Sequence, residues 1–181
     1  MSGQQTPNVG EPVSVKLANS IVHASRRSRD LFDDGERRRE WARQLGREDL
    51  TAEEAARLRL LRASVRELLT AAAERRPPGR DALHGVNEAS AAVPVAAQLN
   101  WPPSGPPSAW RAATPADPVT SAMAVIARST IDLLCDHHDR IRRCQAPGCP
   151  ALFVASDPRR RWCSIGCGNR VRVARHAARR R

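Results

Sequence analysis

The sequence predicts a mainly α-helical N-terminal part that contains one small β-hairpin, followed by a short C-terminal α+β unit organised by cysteines. Three observations predict this architecture: apolar residues recur at helical spacing before residue 139, a proline-rich loop separates two short apolar segments, and two close cysteine pairs lie near the C-terminus. Apolar residues make up 41% of the 181 positions, which is ordinary for a folded chain.

The first residues, 1–12, are polar and lack apolar periodicity, so we interpret them as a flexible leader. From Val13 onward the apolar pattern begins with alternation and passes into helical spacing, and we choose a helix over residues 17–25. Trp41 and Leu45 lie four apart in a charged stretch, which predicts a short amphipathic helix that ends near Gly46.

Two further helices follow before the proline-rich loop. Thr51 and Glu54 have the spacing of a capping box and begin the longest apolar periodicity, which must stop before Pro77. Asp81 is a candidate cap for a shorter helix that Pro94 ends. Its predicted buried face comprises Leu83, Val86 and Ala89 or Ser90.

The loop itself predicts a hairpin, with strands in residues 93–101 and 109–113. Asp117 and Pro118 then form a helix start, with a capping side chain before a first-turn proline. We therefore expect a helical domain over residues 13–139, with the hairpin near 93–113. The buried face of its last helix is predicted to comprise Val119, Ala122, Val125, Ile126, Ser129 and Leu133.

Charge is unevenly distributed along the chain. Residues 1–139 hold 18 basic and 18 acidic side chains, whereas residues 140–181 hold 12 arginines and one acid, Asp157. Such a basic segment favours an anionic partner. No apolar stretch approaches the roughly 20 residues of a membrane span, and the N-terminus lacks secretory features, so we expect no membrane association and a cytoplasmic location.

Four cysteines have the spacing of a structural metal site. Cys144 and Cys149 form one close pair, and Cys163 and Cys167 the other. Four thiolates fill the tetrahedron that Zn²⁺ prefers, so we predict one structural ion and no open catalytic position. Gly148 suits the tight reversal inside the first pair. Disulfide pairing is the alternative, and it is disfavoured because the chain lacks a secretory signal.

The finger is expected to be treble-clef-like, with a knuckle, a hairpin and a helix over residues 140–181. The predicted hairpin flanks Asp157, and the predicted helix starts at Cys163 and carries both cysteines of the second pair on one face. A unit this small relies on metal binding for its folding free energy. Cys135, upstream of the cluster, is predicted to be buried and not to bind the ion.

The C-terminal helix is rich in arginine, which binds phosphate in bidentate fashion. Arg172, Arg175 and Arg179 recur on one stripe, while Val171, Ala174 and Ala178 lie on another that can face the finger. The candidate nucleic-acid contacts are Arg160, Arg161, Arg170, Arg172, Arg175, Arg179 and Arg180. A structural supporting role is predicted for Trp162, Gly168 and Asn169. The same role is an alternative to DNA contact for Arg170, because side chains next to a metal ligand often hydrogen-bond the opposing loop.

The segments Arg161–Ser164 and Cys167–Arg170 resemble the signature of the CGNR zinc-finger family, over about residues 141–178. The N-terminal part, with Leu17-Ala18-Asn19-Ser20, resembles the ABATE domain that precedes this finger. The resemblance implies a bacterial transcription regulator linked to stress responses, a finger that binds DNA, and the four cysteines as zinc ligands.

Three functional classes compete on the sequence. We expect a non-enzymatic, DNA-binding transcription regulator. In the alternative, the finger is a structural or protein-interaction module that meets an acidic partner, and the N-terminal domain senses a small effector. A nuclease is disfavoured because its open metal site needs histidine and a further acid or asparagine, and the C-terminal segment is poor in acids. The sequence does not indicate the oligomeric state.

Overall fold

The computed structural model describes residues 11–24 and 27–178, and the predicted leader lies almost entirely outside them. The described residues are mainly α-helical with three separate two-stranded antiparallel sheets, which confirms the predicted fold class. The elements in chain order are α1 (Val13–Ala18), β1 (Ile21–Ala24), β2 (Arg27–Asp30), α2 (Gly35–Gln44), α3 (Ala52–Glu74), α4 (Arg80–Ala91), β3 (Val95–Asn100), β4 (Ser108–Ala113), α5 (Pro118–His137), β5 (Ile141–Arg143), β6 (Leu152–Val154) and α6 (Ile165–Ala178).

The first element differs from its prediction. The helix predicted over residues 17–25 is wrong, because α1 ends at Ala18 and a β1–β2 hairpin follows. Asn19 leaves helical geometry at φ −91°, ψ 6°, and the Ser20 hydroxyl donates to the Leu17 carbonyl at 2.8 Å. The alternating residues Val13, Val15 and Leu17 lie in α1, whereas the β-branched Ile21 begins β1.

Helix α3 forms the centre of the fold, and its predicted start is confirmed. The Thr51 hydroxyl accepts from the Glu54 amide at 3.2 Å, and the Glu54 carboxylate accepts from the Thr51 amide at 2.7 Å. The helix ends at Glu74, and its C-cap residue Arg75 has φ +55°, just before Pro77. Five of its buried side chains belong to the main core, which α1, α4 and α5 also line: Leu58, Leu61, Val65, Leu68 and Leu69. Its other buried residues are Ala55, Arg62 and Ala71.

The shorter helices α2 and α4 are present as predicted, but α4 differs in detail. Asp81 lies in the first turn of α4 and does not cap it, since Gly79 occupies the cap position without a side-chain hydrogen bond. Leu83 is 44% exposed, whereas Ala82 and Val86 are buried. The buried face of α4 therefore includes Ala82 in place of Leu83.

The start of α5 is confirmed: the Asp117 carboxylate accepts from the amides of Val119 and Thr120 at 3.0 and 2.9 Å. Its buried face again differs, since Val125 is 53% exposed and Cys135, predicted to be buried, is also exposed. The buried residues of the helix are Val119, Ala124, Ile126, Ala127, Thr130 and Leu133.

The segment Pro118–Arg140 is long and apolar enough to cross a membrane by composition alone. It is the one such segment within residues 11–24 and 27–178. Its packing against α1, α3 and α4 makes it a core helix of this fold.

The predicted hairpin is present as β3–β4, in a register that pairs Val95 with Ala113 and Asn100 with Ser108. At its base, Val93 is buried and its carbonyl accepts from the Arg128 guanidinium at 3.1 Å. Beyond that base, almost every strand residue is exposed. The hairpin therefore extends from the core instead of covering it.

A buried ion pair links α3 to the N-terminal hairpin. The Arg62 guanidinium donates to both Asp30 oxygens and to the Ser20 hydroxyl, and it lies 5.3 Å from the Phe32 ring centroid. Burial raises the pKa of Asp30, but hydrogen bonds from Arg62 and the Phe32 amide outweigh it and lower that pKa to about 2. The pair fixes the start of the chain to the central helix.

We expect Arg62→Met to lower the free energy of unfolding by about 3 kcal/mol, because it leaves the Asp30 carboxylate partly buried without its bidentate partner. Arg37→Met, which removes a surface pair with Glu40, should cost less than about 1 kcal/mol. Urea titration at neutral pH measures both variants. Equal, small losses would show that the buried pair adds no more than a surface pair.

Candidate metal centre

The first cysteine pair lies in the turn of the β5–β6 hairpin, whose register pairs Ile141 with Val154. The Cys144 amide donates to the Ala151 carbonyl at 2.9 Å, and the Cys149 amide to the Ala146 carbonyl at 3.0 Å. Gly148 has φ +70°, a conformation that a Cβ atom would strain. The chain thus reverses tightly enough to bring two sulfurs to one side.

The hairpin predicted around Asp157 is wrong, because Leu152–Val154 pairs with Ile141–Arg143 upstream of the knuckle. Asp157 instead organises a turn, its carboxylate accepting from the Arg159 amide at 2.7 Å. The segment before the second pair is tied to the knuckle by one bond, in which the Gln145 amide donates to the Arg161 carbonyl at 3.0 Å.

The second pair spans the start of α6 and does not lie on one helical face. Cys163 precedes the helix, which begins at Ile165, so the helix predicted to start at Cys163 begins two residues later. Cys167 lies in the first turn, where its amide donates to the Ser164 hydroxyl at 3.2 Å. This N-terminal end also carries the positive end of the helix dipole, which favours thiolates.

The four cysteine sulfurs lie close together around one position that a metal ion can occupy. All lie within 4.8 Å of one another, and the Sγ atoms of Cys149, Cys163 and Cys167 are separated by 3.6 to 3.8 Å. A tetrahedron with Zn–S bonds of about 2.3 Å has edges of roughly 3.8 Å, whereas a disulfide needs about 2.05 Å. None of the five cysteines, all of which lie in the described residues, forms a disulfide. The four cysteines therefore fit a single zinc ion that is bound by four thiolates.

Contacts among the sulfurs and burial shift the pKa values of three of the thiols in different directions. The hydrogen bond with Cys163, followed by those from the Ala151 amide and the neighbouring thiols, lowers the pKa of Cys149 to about 5 against the opposing effect of burial. The same contact with Cys149, together with burial, raises the pKa of the Cys163 thiol. Burial also raises the pKa of Cys144. A divalent cation replaces the thiol protons and offsets the repulsion between the neighbouring thiolates.

A small apolar cluster supports the sulfurs, centred on Phe153, which is fully buried, and Val171. A Cβ at Gly168 would make ordinary van der Waals contact with the Trp162 ring, at 3.4 Å. Trp162 packs against the apolar cluster, and the supporting roles of Trp162 and Gly168 stay predictions. Asn169 is exposed, and its side chain accepts from Arg172 on the same helix instead of reaching the opposing loop.

Two predicted DNA contacts are engaged within the finger. The Arg160 guanidinium lies 4.9 Å from the Phe153 ring centroid and donates to the carbonyls of Trp162 and Cys163 at 3.1 and 2.7 Å. The Arg170 guanidinium approaches the Cys167 sulfur at 3.6 Å. These cations partly offset the negative charge of a tetrathiolate, a role that sequence spacing alone did not reveal for Arg160.

Two family models match the chain. Residues 11–137 match the ABATE model, described as "Putative stress-induced transcription regulator", and residues 140–180 match the CGNR zinc finger. The chain belongs to the ABATE family. No curated protein matches the sequence. The two matches follow in the order expected from the sequence, and the CGNR finger with its four gathered cysteines holds a single structural Zn²⁺.

An asparagine of the ABATE region holds the CGNR finger at its strand edge. The Asn19 side-chain amide donates to the Leu152 carbonyl at 2.7 Å, and its oxygen accepts from the Leu152 amide at 2.9 Å. Two residues along β6, the Val154 amide donates to the Glu11 carboxylate at 3.4 Å. Asn19 therefore satisfies the open edge of β6 much as a neighbouring strand would.

Arg66 provides a second link. Its guanidinium donates to the Ala18 carbonyl at 2.9 Å and to the Pro150 carbonyl, next to a cysteine ligand, at 2.7 Å. Burial lowers the pKa of Arg66 from its ordinary value. Ile141 and Leu152 lie in the same core cluster as Leu17 and Val65. The core thus continues across the predicted boundary near residue 139, and the division into independent domains stays a prediction.

We expect Cys163→Ser to reduce bound zinc from one ion per chain toward none, because three thiolates and a hydroxyl bind the ion more weakly than four thiolates. Cys135→Ser, outside the cluster, should keep full occupancy. Metal analysis after dialysis against a chelator measures both. Full zinc content in Cys163→Ser would remove Cys163 from the ligand set.

Asn19→Ala should lower the free energy of unfolding by about 2–4 kcal/mol, because it leaves two backbone groups of Leu152 without partners at a buried edge. It should also speed zinc transfer to a chromogenic chelator, since the finger loses a contact that holds its hairpin. Asn87→Ala, at an exposed position of α4, is the control. Unchanged stability and unchanged zinc transfer would refute the linking role.

Proposed function

We propose that the chain is a DNA-binding transcription regulator whose zinc finger presents the second half of α6 and the adjoining arginine turn to a DNA duplex. The family description supports the coarser statement, that of a regulator, and both matched families are of regulator or zinc-finger type and not enzymes. The proposal implies a cytoplasmic location. The single observation that carries the proposal is the projecting, arginine-bearing end of α6.

Only the first part of α6 packs on the finger. Gly168 and Val171 are buried, whereas every residue from Arg172 to Ala178 is exposed, with Val173 at 69%. The predicted packing of Ala174 and Ala178 against the finger is therefore wrong. A helix exposed on all sides has no packing to stabilise it, and a B-DNA major groove about 12 Å wide accepts such a helix.

The arginines divide into those already engaged and those available. Among the described residues, the side chains of Arg159, Arg161 and Arg175 have no hydrogen-bond or ion-pair partner, and Arg172 contacts only Asn169. The predicted contacts Arg179 and Arg180 lie outside the described residues. We assign Arg161, Arg172 and Arg175 to phosphate contacts, while Arg160 and Arg170 support the finger.

Within residues 140–178, no acidic side chain forms an ion pair at the α6 end of the finger. In the described part of the chain, the one ion pair made by a finger residue joins Arg143 to Glu74 of α3, away from α6. The lone finger acid, Asp157, is occupied by the turn that it caps. The arginines at the end of α6 therefore produce a positive potential that attracts an anion.

The proposal predicts that Arg172→Ala/Arg175→Ala weakens duplex binding by about tenfold near 0.1 M salt and lowers the slope of log affinity against log salt by about 2. Zinc content should be unchanged. The matched control is Arg39→Ala/Arg43→Ala, two exposed arginines on one face of α2. Fluorescence anisotropy with genomic fragments and random duplex measures all three proteins.

Preference of the zinc-loaded protein for particular genomic fragments would support sequence-dependent regulation. Equal affinity in the double variant and the wild type would remove α6 from the interface. Absence of duplex binding by the zinc-loaded wild type would refute the proposal and favour an acidic protein partner.

A further inference from the structure

Arg66 of α3 is a partly buried cation that pairs with no carboxylate in the described ranges, residues 11–24 and 27–178. Its guanidinium donates instead to the backbone carbonyls of Ala18 and Pro150, at 2.9 and 2.7 Å. Removing a charge from water costs free energy that neutral carbonyls offset only in part, so a buried cation usually lies beside an opposite charge. The position of Arg66 therefore calls for an anionic neighbour.

The groups around Arg66 indicate which neighbour this is. Burial lowers the pKa of Arg66, and the charges of Arg143 and Arg62 lower it further, whereas the charge of Cys149 raises it. Each of the two neighbouring arginines is already paired with a carboxylate of its own. The attraction that opposes burial therefore comes from a cysteine of the metal site.

The zinc centre carries a negative charge that needs cations beside it. One Zn²⁺ bound by four thiolates has a net charge of about −2. Within the finger, Arg160 donates to the Cys163 carbonyl at 2.7 Å, and Arg170 approaches the Cys167 sulfur at 3.6 Å. Both contacts lie at the second cysteine pair. The first pair receives its cation from outside the finger.

We propose that Arg66 is a positioning residue of the zinc site, which it supports from the ABATE region by binding the carbonyl next to Cys149 and by offsetting the charge of the bound thiolates. Pro150 directly follows Cys149, so the hydrogen bond to its carbonyl holds the backbone that carries this ligand. Groups that orient metal ligands from outside the ligand shell contribute strongly to metal affinity. The affinity of the finger for zinc therefore depends on a side chain of α3.

This role differs from that of a simple link between the two parts of the chain. A link needs only a hydrogen-bond donor at this position, which a lysine or a neutral glutamine supplies. Charge compensation needs a cation, which a lysine supplies and a glutamine does not. The inference rests on the metal centre and is independent of the DNA binding proposed for α6.

Equilibrium competition between the full chain and a chromogenic chelator, at neutral pH, measures the affinity for Zn²⁺. Arg66→Met should lower this affinity by about 10- to 100-fold, as loss of a group that supports a metal ligand typically does. Arg66→Gln should lose about as much. Arg66→Lys should stay within about fivefold of the wild type, because it keeps the charge and loses only the planar fork.

The matched control is Arg128→Met. Arg128 is also partly buried, and it donates to two carbonyls at the base of the β3–β4 hairpin, those of Ser90 and Val93, at 3.3 and 3.1 Å. This variant should bind zinc as tightly as the wild type. A loss equal to that of Arg66→Met would show that lower stability of the fold explains both variants, and it would overturn the proposal.

Two further results would contradict the role of Arg66. One is wild-type zinc affinity in Arg66→Met, and the other is an Arg66→Gln variant that binds zinc as tightly as Arg66→Lys, which is the behaviour of a simple link. Circular dichroism and the sulfur-to-cobalt charge-transfer bands of the Co²⁺-loaded proteins establish that the fold and the four-sulfur site persist. If Arg66→Met does not fold, the comparison of Arg66→Lys with Arg66→Gln decides.

Discussion

The structure of the C-terminal segment depends on four sulfur atoms that share one coordination sphere. The apolar cluster beneath them is small, with Phe153 and Val171 as its largest buried members, so it cannot stabilise the finger alone. Zinc binding joins the knuckle to the start of α6, and cationic Arg160 and Arg170 lie beside it. The direction of the basic end of α6 depends on this metal centre, because metal binding fixes the start of the helix to the knuckle.

The finger also shares its stability with the ABATE region. Asn19 completes the edge of β6, Arg66 joins the carbonyls of Ala18 and Pro150, and Ile141 lies in the main core. The segment Leu17-Ala18-Asn19-Ser20, which carries the resemblance to the ABATE domain, therefore has a structural role, because its Asn19 binds β6 of the finger. This arrangement gives α6 a defined direction relative to the helical core, and it connects zinc content to the stability of the whole molecule.

Local chemistry made part of this structure predictable from the sequence. The capping box at Thr51, the Asp117 cap and the cysteine spacing each depend on residues within a few positions, and each prediction agrees with the structure. The incorrect predictions concern features that depend on contacts between residues far apart in the sequence. The strand partner of Leu152–Val154 lies upstream of the knuckle, and Cys135 is exposed because the buried face of α5 turns toward α3 and α4. Asn19 gave no signal that it binds a strand edge more than a hundred residues away.

X-ray absorption at the zinc edge tests the central claim most directly, because it counts the atoms that bind the ion in the intact protein. The structure predicts a single shell of four sulfur neighbours at about 2.3 Å, with no nitrogen or oxygen ligand. A shell that includes light atoms at about 2.0 Å would contradict the tetrathiolate centre and, with it, the basis on which α6 is positioned.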